Sequence, residues 1–422
     1  MQRMKNALLI AYHFPPVRVS SGLQRTLAFV SDLRAHGWSA DVLTAHPRAY
    51  ETTSTDQLED IPPGTTVSRA FALDTARHLA VGGRYAKCMA LPDRWISWWP
   101  AAVISGLRMI RRSRPAVIWS TYPIATAHLI ALTLHKLTGI PWVADFRDSM
   151  TEADYPVDPA QRKLYRWIEQ RTVASCYRAV FTTPGAIDMY RARYSAIPHE
   201  RWLLIPNGYN EAIFRGVESD LGAPHAARGA AGEAADRRIT LLHSGVVYPS
   251  ERDPQHFFEA VSALKRQGRL GAENLRIVMR ATGHDAIYQP HLDRLDITDI
   301  VSLEPGLPYR EALAEMLAAD GLLILQGSSC NHQVPAKLYE YFRAGRPILA
   351  LTDRRGDTAK TMHNAGLTTI AALDDRREIQ SQLIQFLEQL RAGTGARVSP
   401  DIVSNYSRSA AAKMLAEAFE AI

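Results

Sequence analysis

The alternation of strands and helices that indicates the fold begins in residues 7–44, which read ALLIAYHFPPVRVSSGLQRTLAFVSDLRAHGWSADVLT. Residues 7–11 are a short apolar run of the kind that forms a buried strand. Residues 26–36 have the apolar spacing of a helix, and Gly37 follows at its end. Residues 40–44 are the next apolar run. This stretch therefore predicts a strand, a helix and a second strand.

The same alternation continues along the chain. Further apolar runs, which we predict to be strands, lie at 116–120, 141–145, 179–183, 202–205, 239–244, 275–281, 322–325 and 347–351. Segments with helical spacing lie between them at 125–137, 254–267 and 336–344. Strands that alternate with helices are typical of a parallel, doubly wound sheet. The fold class predicted from the residues is therefore α/β.

The alternation breaks once, and this break predicts the domain organisation. Residues 217–238 are mostly small and polar, with little to bury, as in a flexible connection. We therefore predict a first Rossmann-like lobe at 1–207, a linker at 208–238 and a second Rossmann-like lobe at 239–400. Residues 401–422 are predicted to form a C-terminal helix that packs back on the first lobe. A ligand is expected in the crevice between the lobes, at the carboxyl ends of the strands.

Composition and charge limit the class of protein. With 422 residues, 22% of them charged and 46% hydrophobic, the chain is long enough for two or three domains. This composition excludes a disordered chain, a collagen and a disulfide scaffold. Residues 1–209 carry 25 Lys/Arg and 16 Asp/Glu, a net charge of +9, whereas the remaining residues carry −3. The partner of the basic half could be an anionic membrane surface, a phosphorylated ligand or a nucleic acid.

Cysteine usage and the apolar runs bear on localisation. Cys88, Cys176 and Cys330 are far apart in sequence and form no CxxC pair, which favours a reducing, cytoplasmic setting. Residues 7–11 are too short for the apolar part of a signal peptide, and no run of 18 apolar residues is present. We expect a cytoplasmic protein, with peripheral contact on the inner face of the cell membrane as one option.

Two loops of the first half have residues suited to chemistry. Residues 12–25 lack the GxGxxG pattern of dinucleotide-binding proteins, but Gly22 lies where this loop becomes a helix. Backbone N–H groups there could accept an anion, or the glycine could belong to an ordinary turn. In the other loop Asp145 and Asp148 flank Arg147. These carboxylates could orient an acceptor hydroxyl, or Arg147 could form a structural ion pair with a neighbouring acid.

Two loops of the second half suit a nucleotide. Gly245 ends a predicted strand, and Arg252 lies just before the next helix, where a guanidinium could bind a diphosphate through two hydrogen bonds. Lys337 and Glu340 are three residues apart, which places them on one face of the helix predicted at 336–344. A lysine on a phosphate and a carboxylate on ribose hydroxyls would serve a nucleotide. A surface ion pair between the two is the alternative.

Together these loops resemble the family 4 glycosyltransferases, whose GT-B fold has two Rossmann-like lobes facing a central cleft. The marks of the resemblance are Trp99-Pro100, 141–148 (PWVADFRD), 205–209 (IPNGY), Ser244-Gly245, 335–341 (PAKLYEY) and 403–407 (VSNYS). Their order and spacing along the chain make the match specific. The bacterial branch that builds surface polysaccharides is the most similar.

The resemblance implies an enzyme that transfers a sugar, with retention, from a nucleotide-diphosphate sugar to a saccharide or lipid-linked saccharide. Exopolysaccharide, capsule or lipopolysaccharide synthesis would be its setting. No cofactor or metal is implied, and the metal-bridging Asp-x-Asp motif is absent from the sequence. By match of position, Arg252 and Lys337 would neutralise the diphosphate, and Asp148 or Arg147 would lie near the reacting centre.

Further residues are assigned to two sides of the site by the same resemblance. Those on the donor side are Gly22, Gly245, Arg252, Gly306, Leu307, His332, Val334, Pro335, Ala336, Lys337 and Glu340, with residues 301–307 bordering the base. Those on the acceptor or membrane side are His13, Arg25, Asp145, Trp95, Trp98 and Trp99. The tryptophans, with arginines nearby, could contact a membrane interface, line the acceptor cleft or pack in the core.

One position departs from the family pattern. The family often has two glutamates eight residues apart, and here Glu340 fills the second position while His332 fills the first. His332 could bond a sugar hydroxyl or be a plain loop histidine. The departure leaves open a non-catalytic, transferase-like subunit, and a GT-B-fold sugar-nucleotide epimerase is a further alternative. Nucleic-acid binding is disfavoured, because no helix-turn-helix, zinc spacing or aromatic RNA-binding motif is present.

Overall fold

The computed structural model describes residues 4–18, 21–152, 155–222 and 238–422. The chain divides into two compact units. The first comprises Met1–Asn207 together with Arg408–Ile422, and the second comprises Gly208–Ser407. Each unit contains one parallel sheet with helices packed against it.

The first unit is built around a sheet of seven strands. They are β1 (Lys5–Ile10), β2 (Trp38–Ala45), β3 (Val67–Ala70), β4 (Val117–Thr121), β5 (Trp142–Arg147), β6 (Arg178–Phe181) and β7 (Trp202–Leu204). The helices are α1 (Ser21–Asp32), α2 (Thr75–His78), α3 (Trp98–Ser113), α4 (Ala125–Thr138), α5 (Pro159–Ser175) and α6 (Pro184–Arg193). The strand order is β3-β2-β1-β4-β5-β6-β7, and each neighbouring pair is parallel.

The second unit is built around a sheet of six strands. They are β8 (Ile239–Ser244), β9 (Leu275–Arg280), β10 (Val301–Glu304), β11 (Gly321–Gln326), β12 (Ile348–Thr352) and β13 (Ile370–Ala371). The helices are α7 (Glu211–Leu221), α8 (Gln255–Arg266), α9 (Asp285–Arg294), α10 (Tyr309–Ala318), α11 (Lys337–Ala344), α12 (Asp357–Asn364), α13 (Arg376–Arg391) and α14 (Pro400–Ser404). The strand order is β10-β9-β8-β11-β12-β13, again all parallel.

Both sheets are doubly wound, since the first strand of each lies inside the sheet and the chain then turns to the opposite edge. Every residue of β4, β5, β11 and β12 is buried, which explains why these strands read as continuous apolar runs. The predicted fold class, α/β with two Rossmann-like parallel sheets, is confirmed. In each sheet the order reverses between two central strands, β1 and β4 or β8 and β11, and ligands bind at such points.

The last helix, α15 (Arg408–Glu420), belongs to the first unit. It packs against α1, and its Phe419 ring lies 5.1 Å from the ring of Trp38. At its start Arg408 Nη1 donates to Gln24 Oε1 over 2.8 Å. The segment predicted as one helix over 401–422 is therefore two helices, of which α14 lies in the second unit.

The linker predicted at 208–238 is wrong over its first half, where α7 forms. Asn210 caps this helix by accepting a hydrogen bond from the Ile213 N–H over 3.2 Å. Phe214 and Val217 on its inner face are buried in the core of the second unit. The small residues that follow had obscured this amphipathic segment. Residues 223–237 of the predicted linker lie outside the described residues.

Among the described residues, every helix is either too short or too polar to span a bilayer.

Candidate functional site

In the second unit, a site is organised by the turn that follows β8. Gly245 has a φ of +115°, a conformation that side chains disfavour. A methyl group on Gly245 would lie 2.9 Å from Lys337 Nζ. The absence of a side chain therefore lets the lysine reach the backbone at this strand end.

Lys337 is the first residue of α11 and extends toward β8. Its Nζ lies 3.1 Å from His243 Nε2. Burial and the neighbouring Arg252 guanidinium lower the pKa of Lys337 to about 7, and Glu340 opposes this shift. An anion placed beside this amine would favour the protonated form, so the site suits a negatively charged ligand.

Arg252 is held in place by two acceptors. Its Nε donates to Gln326 Oε1 over 3.0 Å, and its Nη1 donates to the Val246 carbonyl over 3.2 Å. Gln326 is buried at the end of β11, the strand next to β8. The guanidinium is thus fixed at the reversal point of the sheet, where the Lys337 amine also lies close enough to feel its charge.

Glu340 lies one turn after Lys337 on α11. Its Oε1 accepts a hydrogen bond from the Tyr309 hydroxyl over 2.7 Å. Tyr309 begins α10, so the carboxylate is anchored to a second helix. This contact orients the carboxylate rather than leaving it as a solvated surface charge.

The structure brings Gly245, Arg252, Lys337 and Glu340 together, through contacts or through their mutual charge effects. Of the other predicted donor residues, Val334 and Pro335 are buried and Ala336 directly precedes α11. His332 is half-buried in the preceding turn. Gly306 and Leu307 lie in the loop between β10 and α10, where a methyl group on Gly306 would be 3.6 Å from the Ala281 side chain.

Three polar residues of this site are not among those predicted from the sequence, namely His243, Gln326 and Tyr309. A signal exists for two of them. His243 is a buried polar residue within the apolar run of β8, and Gln326 ends the apolar run of β11. Polar residues at the ends of buried strands point to a site at the sheet edge. Tyr309 has no comparable signal, because its partner is 31 residues away.

In the first unit, the residues Arg25 and Asp145 form a buried ion pair. Arg25 Nε lies 2.8 Å from Asp145 Oδ2, and the two side chains are 6% and 0% exposed. Arg25 also donates to the carbonyls of Ile205 and Pro206, each over 3.0 Å. The expectation that these two residues face an acceptor or a membrane is therefore corrected, because they form an ion pair with each other in the interior of the first unit.

Arg147 has an unusual backbone at the end of β5. Its φ is +59°, and the Asp148 N–H donates to the Phe146 carbonyl over 2.6 Å across it. The register with β6 shifts at this point, as in a bulge that redirects a side chain. The strain of a non-glycine residue in this region is often found at functional sites. Burial lowers the pKa of Arg147, and the charge of Asp148, which follows in a half-buried position, opposes this shift.

Gly22 lies against this arginine. A methyl group on Gly22 would be 2.6 Å from Arg147 Nη1 and 3.5 Å from His13 Nδ1. Burial and the Arg147 charge lower the pKa of His13 to about 4, so the imidazole is neutral at pH 7. His13 and Gly22 of one predicted loop thus meet Arg147 of the other at the start of α1.

The tryptophans near α3 pack inward, and the membrane contact proposed for them is wrong for Trp98. Its side chain is fully buried in the core of the first unit. Trp95 and Trp99 pack partly against the same core, and their indole N–H groups donate to the Ala49 carbonyl and to Thr133 Oγ1. The predicted alternative of core packing describes these residues best.

Comparison with known families finds a match within the first unit. Residues 22–208 match the family model described as a glycosyl transferase 4-like domain. A search of curated proteins finds no match. The predicted resemblance to the family 4 glycosyltransferases is therefore confirmed over residues 22–208, while the surface-polysaccharide branch stays a prediction.

Solved structures support the same fold over the whole chain. Sucrose-phosphate synthase from Thermosynechococcus elongatus is 15% identical, with a TM-score of 0.65 over 99% of this chain and 98% of that one. HepE of Anabaena in complex with UDP is 12% identical, with a TM-score of 0.67 over 99% and 100% of the two chains. The UDP-GlcNAc 2-epimerase of Neisseria meningitidis, bound to UDP-GlcNAc, is 12% identical with a TM-score of 0.57 over 99% and 100%. At these identities the likeness establishes the GT-B fold.

Proposed function

The first unit of this chain belongs to the glycosyl transferase 4-like family, and from this premise we propose that the protein transfers a sugar from a nucleotide-diphosphate sugar to a saccharide or lipid-linked saccharide acceptor. The pathway we propose is the synthesis of exopolysaccharide, capsule or lipopolysaccharide. The second unit binds the donor, and the first unit binds the acceptor.

The observation that carries this proposal is the pair of cations at the end of β8. Lys337 Nζ lies against the Gly245 turn, and Arg252 is fixed beside it by Gln326 and Val246. When the bond to the anomeric carbon breaks, negative charge develops on the departing diphosphate. Fixed cations aimed at that charge stabilise the transition state more than the ground state. Glu340 on the same helix supplies a carboxylate for ribose hydroxyls.

A uridine nucleotide is the first donor to test. HepE of Anabaena has been crystallised with UDP and with UDP-glucose, and its fold extends over 99% of this chain. We propose that the transfer proceeds with retention and without a metal. In the first unit, Asp148 and Arg147 act near the reacting centre, because the strained turn at the end of β5 presents them together.

The proposal is tested by calorimetric binding of UDP, GDP and ADP, first with EDTA and then with magnesium. We expect one nucleotide to bind, with the same affinity in both conditions. Lys337→Ala and Arg252→Ala should each weaken that binding by a factor of roughly 10–150, as expected for loss of a hydrogen bond to a charged group, about 1.5–3 kcal/mol. Lys360→Ala is the matched control, because the Lys360 side chain is 62% exposed in the same unit. If nucleotide affinity is unchanged in both Lys337→Ala and Arg252→Ala, the assignment of the diphosphate to these two residues is wrong.

Two alternatives have a specific observation in their favour. The likeness to the Neisseria meningitidis epimerase favours a sugar-nucleotide epimerase. His332 in place of a glutamate favours a non-catalytic subunit that binds a nucleotide-sugar. Incubation with the donor alone separates the epimerase, which would form a new sugar nucleotide or a free sugar without an acceptor. Nucleotide binding without turnover over a panel of acceptors would favour the non-catalytic subunit.

A further inference from the structure

His243 is a buried histidine with one defined proton position. It is the fifth residue of β8, and its side chain is fully buried. Its Nδ1 lies 2.9 Å from the carbonyl oxygen of Leu323 on the neighbouring strand β11. A carbonyl oxygen can only accept a hydrogen bond, so Nδ1 bears the proton. Nε2 of the neutral ring is then an acceptor.

The acceptor Nε2 is directed at Lys337. It lies 3.1 Å from Nζ, and an ammonium group can only donate. The ring must be neutral for this contact to form. Burial, Lys337 and Arg252 lower the pKa of His243 well below its usual range, although hydrogen bonds to the backbone of Leu323 and Gly245 oppose this shift. When Lys337 is protonated, the pair is therefore a charged donor on a neutral acceptor whose orientation is set by the backbone of β11.

We propose that His243 is a positioning residue, which holds the Lys337 ammonium group at the Gly245 turn in the orientation that meets the donor diphosphate. This inference rests on the proposed function, because it takes a diphosphate as the ligand of Lys337. The imidazole itself needs no contact with the ligand. Its role is to restrict a flexible lysine side chain before the ligand arrives, which lowers the cost of ordering it on binding.

The proposal has a consequence for pH. The groups that face Lys337 are Arg252, which disfavours its charge, Glu340, which favours it, and the acceptor His243. The Tyr341 hydroxyl accepts from the Ser244 N–H nearby, so it supports the turn. Loss of the imidazole acceptor removes a stabilising contact of the ammonium form. The lysine then loses its proton at a lower pH, and diphosphate affinity falls at a lower pH as well.

The test compares His243→Leu with His243→Gln. Leucine removes the acceptor, whereas the Gln side-chain oxygen can replace Nε2. UDP binding is measured by calorimetry between pH 5.5 and 8.5, with His363→Leu, an exposed position of α12, as the control. We expect His243→Leu to bind UDP about tenfold more weakly at pH 7.5, with the midpoint of the pH profile about one unit lower. His243→Gln should keep most of the affinity. Wild-type affinity and an unchanged midpoint in His243→Leu would overturn the inference.

A second measurement does not depend on nucleotide. The proton affinity of the Lys337 amine is followed by competitive acetylation across the same pH range in the ligand-free protein. We expect His243→Leu to lower it, and no change would overturn the inference. Long-range ¹H–¹⁵N spectra of the wild type should show His243 protonated on Nδ1, and protonation on Nε2 would overturn it too. If the acetylation and NMR results are as expected but no nucleotide binds the wild type, the proposed function is wrong, whereas the contact between Lys337 and His243 is supported.

Discussion

The buried pair of Arg25 and Asp145 allows a sharp test of the first unit. In Asp145→Asn the shape of the side chain is kept, but the guanidinium loses its counter-charge. Both side chains are at most 6% exposed, so water cannot replace the carboxylate. Removing one partner of a buried ion pair costs about 3–5 kcal/mol, because the other charge is left uncompensated. A loss of this size is a large fraction of the 5–15 kcal/mol that typically stabilises a folded domain.

Tryptophan fluorescence during urea unfolding measures the stability that the first unit loses in Asp145→Asn. The chain has 8 tryptophans, and all of them lie between Trp38 and Trp202, within the first unit. The unfolding of the second unit therefore leaves this signal largely unchanged. Glu420→Gln is the matched control, since it breaks the ion pair with Lys5 whose side chains are 51% and 53% exposed. An exposed pair of this kind is worth about 0–1 kcal/mol.

A double variant completes the test. In Arg25→Met with Asp145→Leu both charges are absent, so no buried charge is left without a partner. We expect this variant to recover much of the stability that Asp145→Asn loses, as apolar replacement of a buried pair often does. If Asp145→Asn costs no more than Glu420→Gln, the burial and pairing of Asp145 described above are wrong.

Three further predictions follow from the site and the core. Gly245→Ala should weaken UDP binding about tenfold or more in calorimetry, because a side chain at this φ costs about 1–3 kcal/mol and the methyl group displaces Lys337. Gly268→Ala is the control and should bind UDP normally, because Gly268 also has a positive φ but its Cβ would meet open space. Asp148→Asn should lower turnover more than donor affinity in steady-state kinetics, and wild-type turnover would remove Asp148 from the site. Trp98→Ala should lower the stability of the first unit by about 3–5 kcal/mol, read from the same urea unfolding, and a smaller loss typical of a surface residue would contradict its burial.

Much of the fold could be predicted, because local patterns determine it. The buried strands β4 and β11 are continuous apolar runs, and helices with apolar spacing separate them from their neighbours. Lys337 and Glu340 could be placed on one helix face from their spacing alone. In contrast, α7 was missed, since the Gly- and Ala-rich residues after it dominate the composition of the segment.

The contacts between distant residues could not be predicted. Arg25 and Asp145 are 120 residues apart in sequence, and His243 and Lys337 are 94 apart. A charged residue after a strand has the same local pattern whether it faces a ligand or a buried counter-ion. The local sequence does not distinguish these outcomes, which is why Arg25 was assigned to the acceptor or membrane side and His243 was not among the predicted site residues.

The position of α15 in the first unit has a consequence for biosynthesis. The second unit is one continuous segment, Gly208–Ser407, whereas the first is completed only by Arg408–Ile422. Leu415 and Phe419 of this last segment are buried among the residues of the first core. On the ribosome, the second unit can therefore fold as soon as it has emerged, but the first must wait with part of its apolar surface uncovered. A released chain that ends at Ser407 would contain all of the second unit, but its first unit would leave exposed the apolar residues that Leu415 and Phe419 cover.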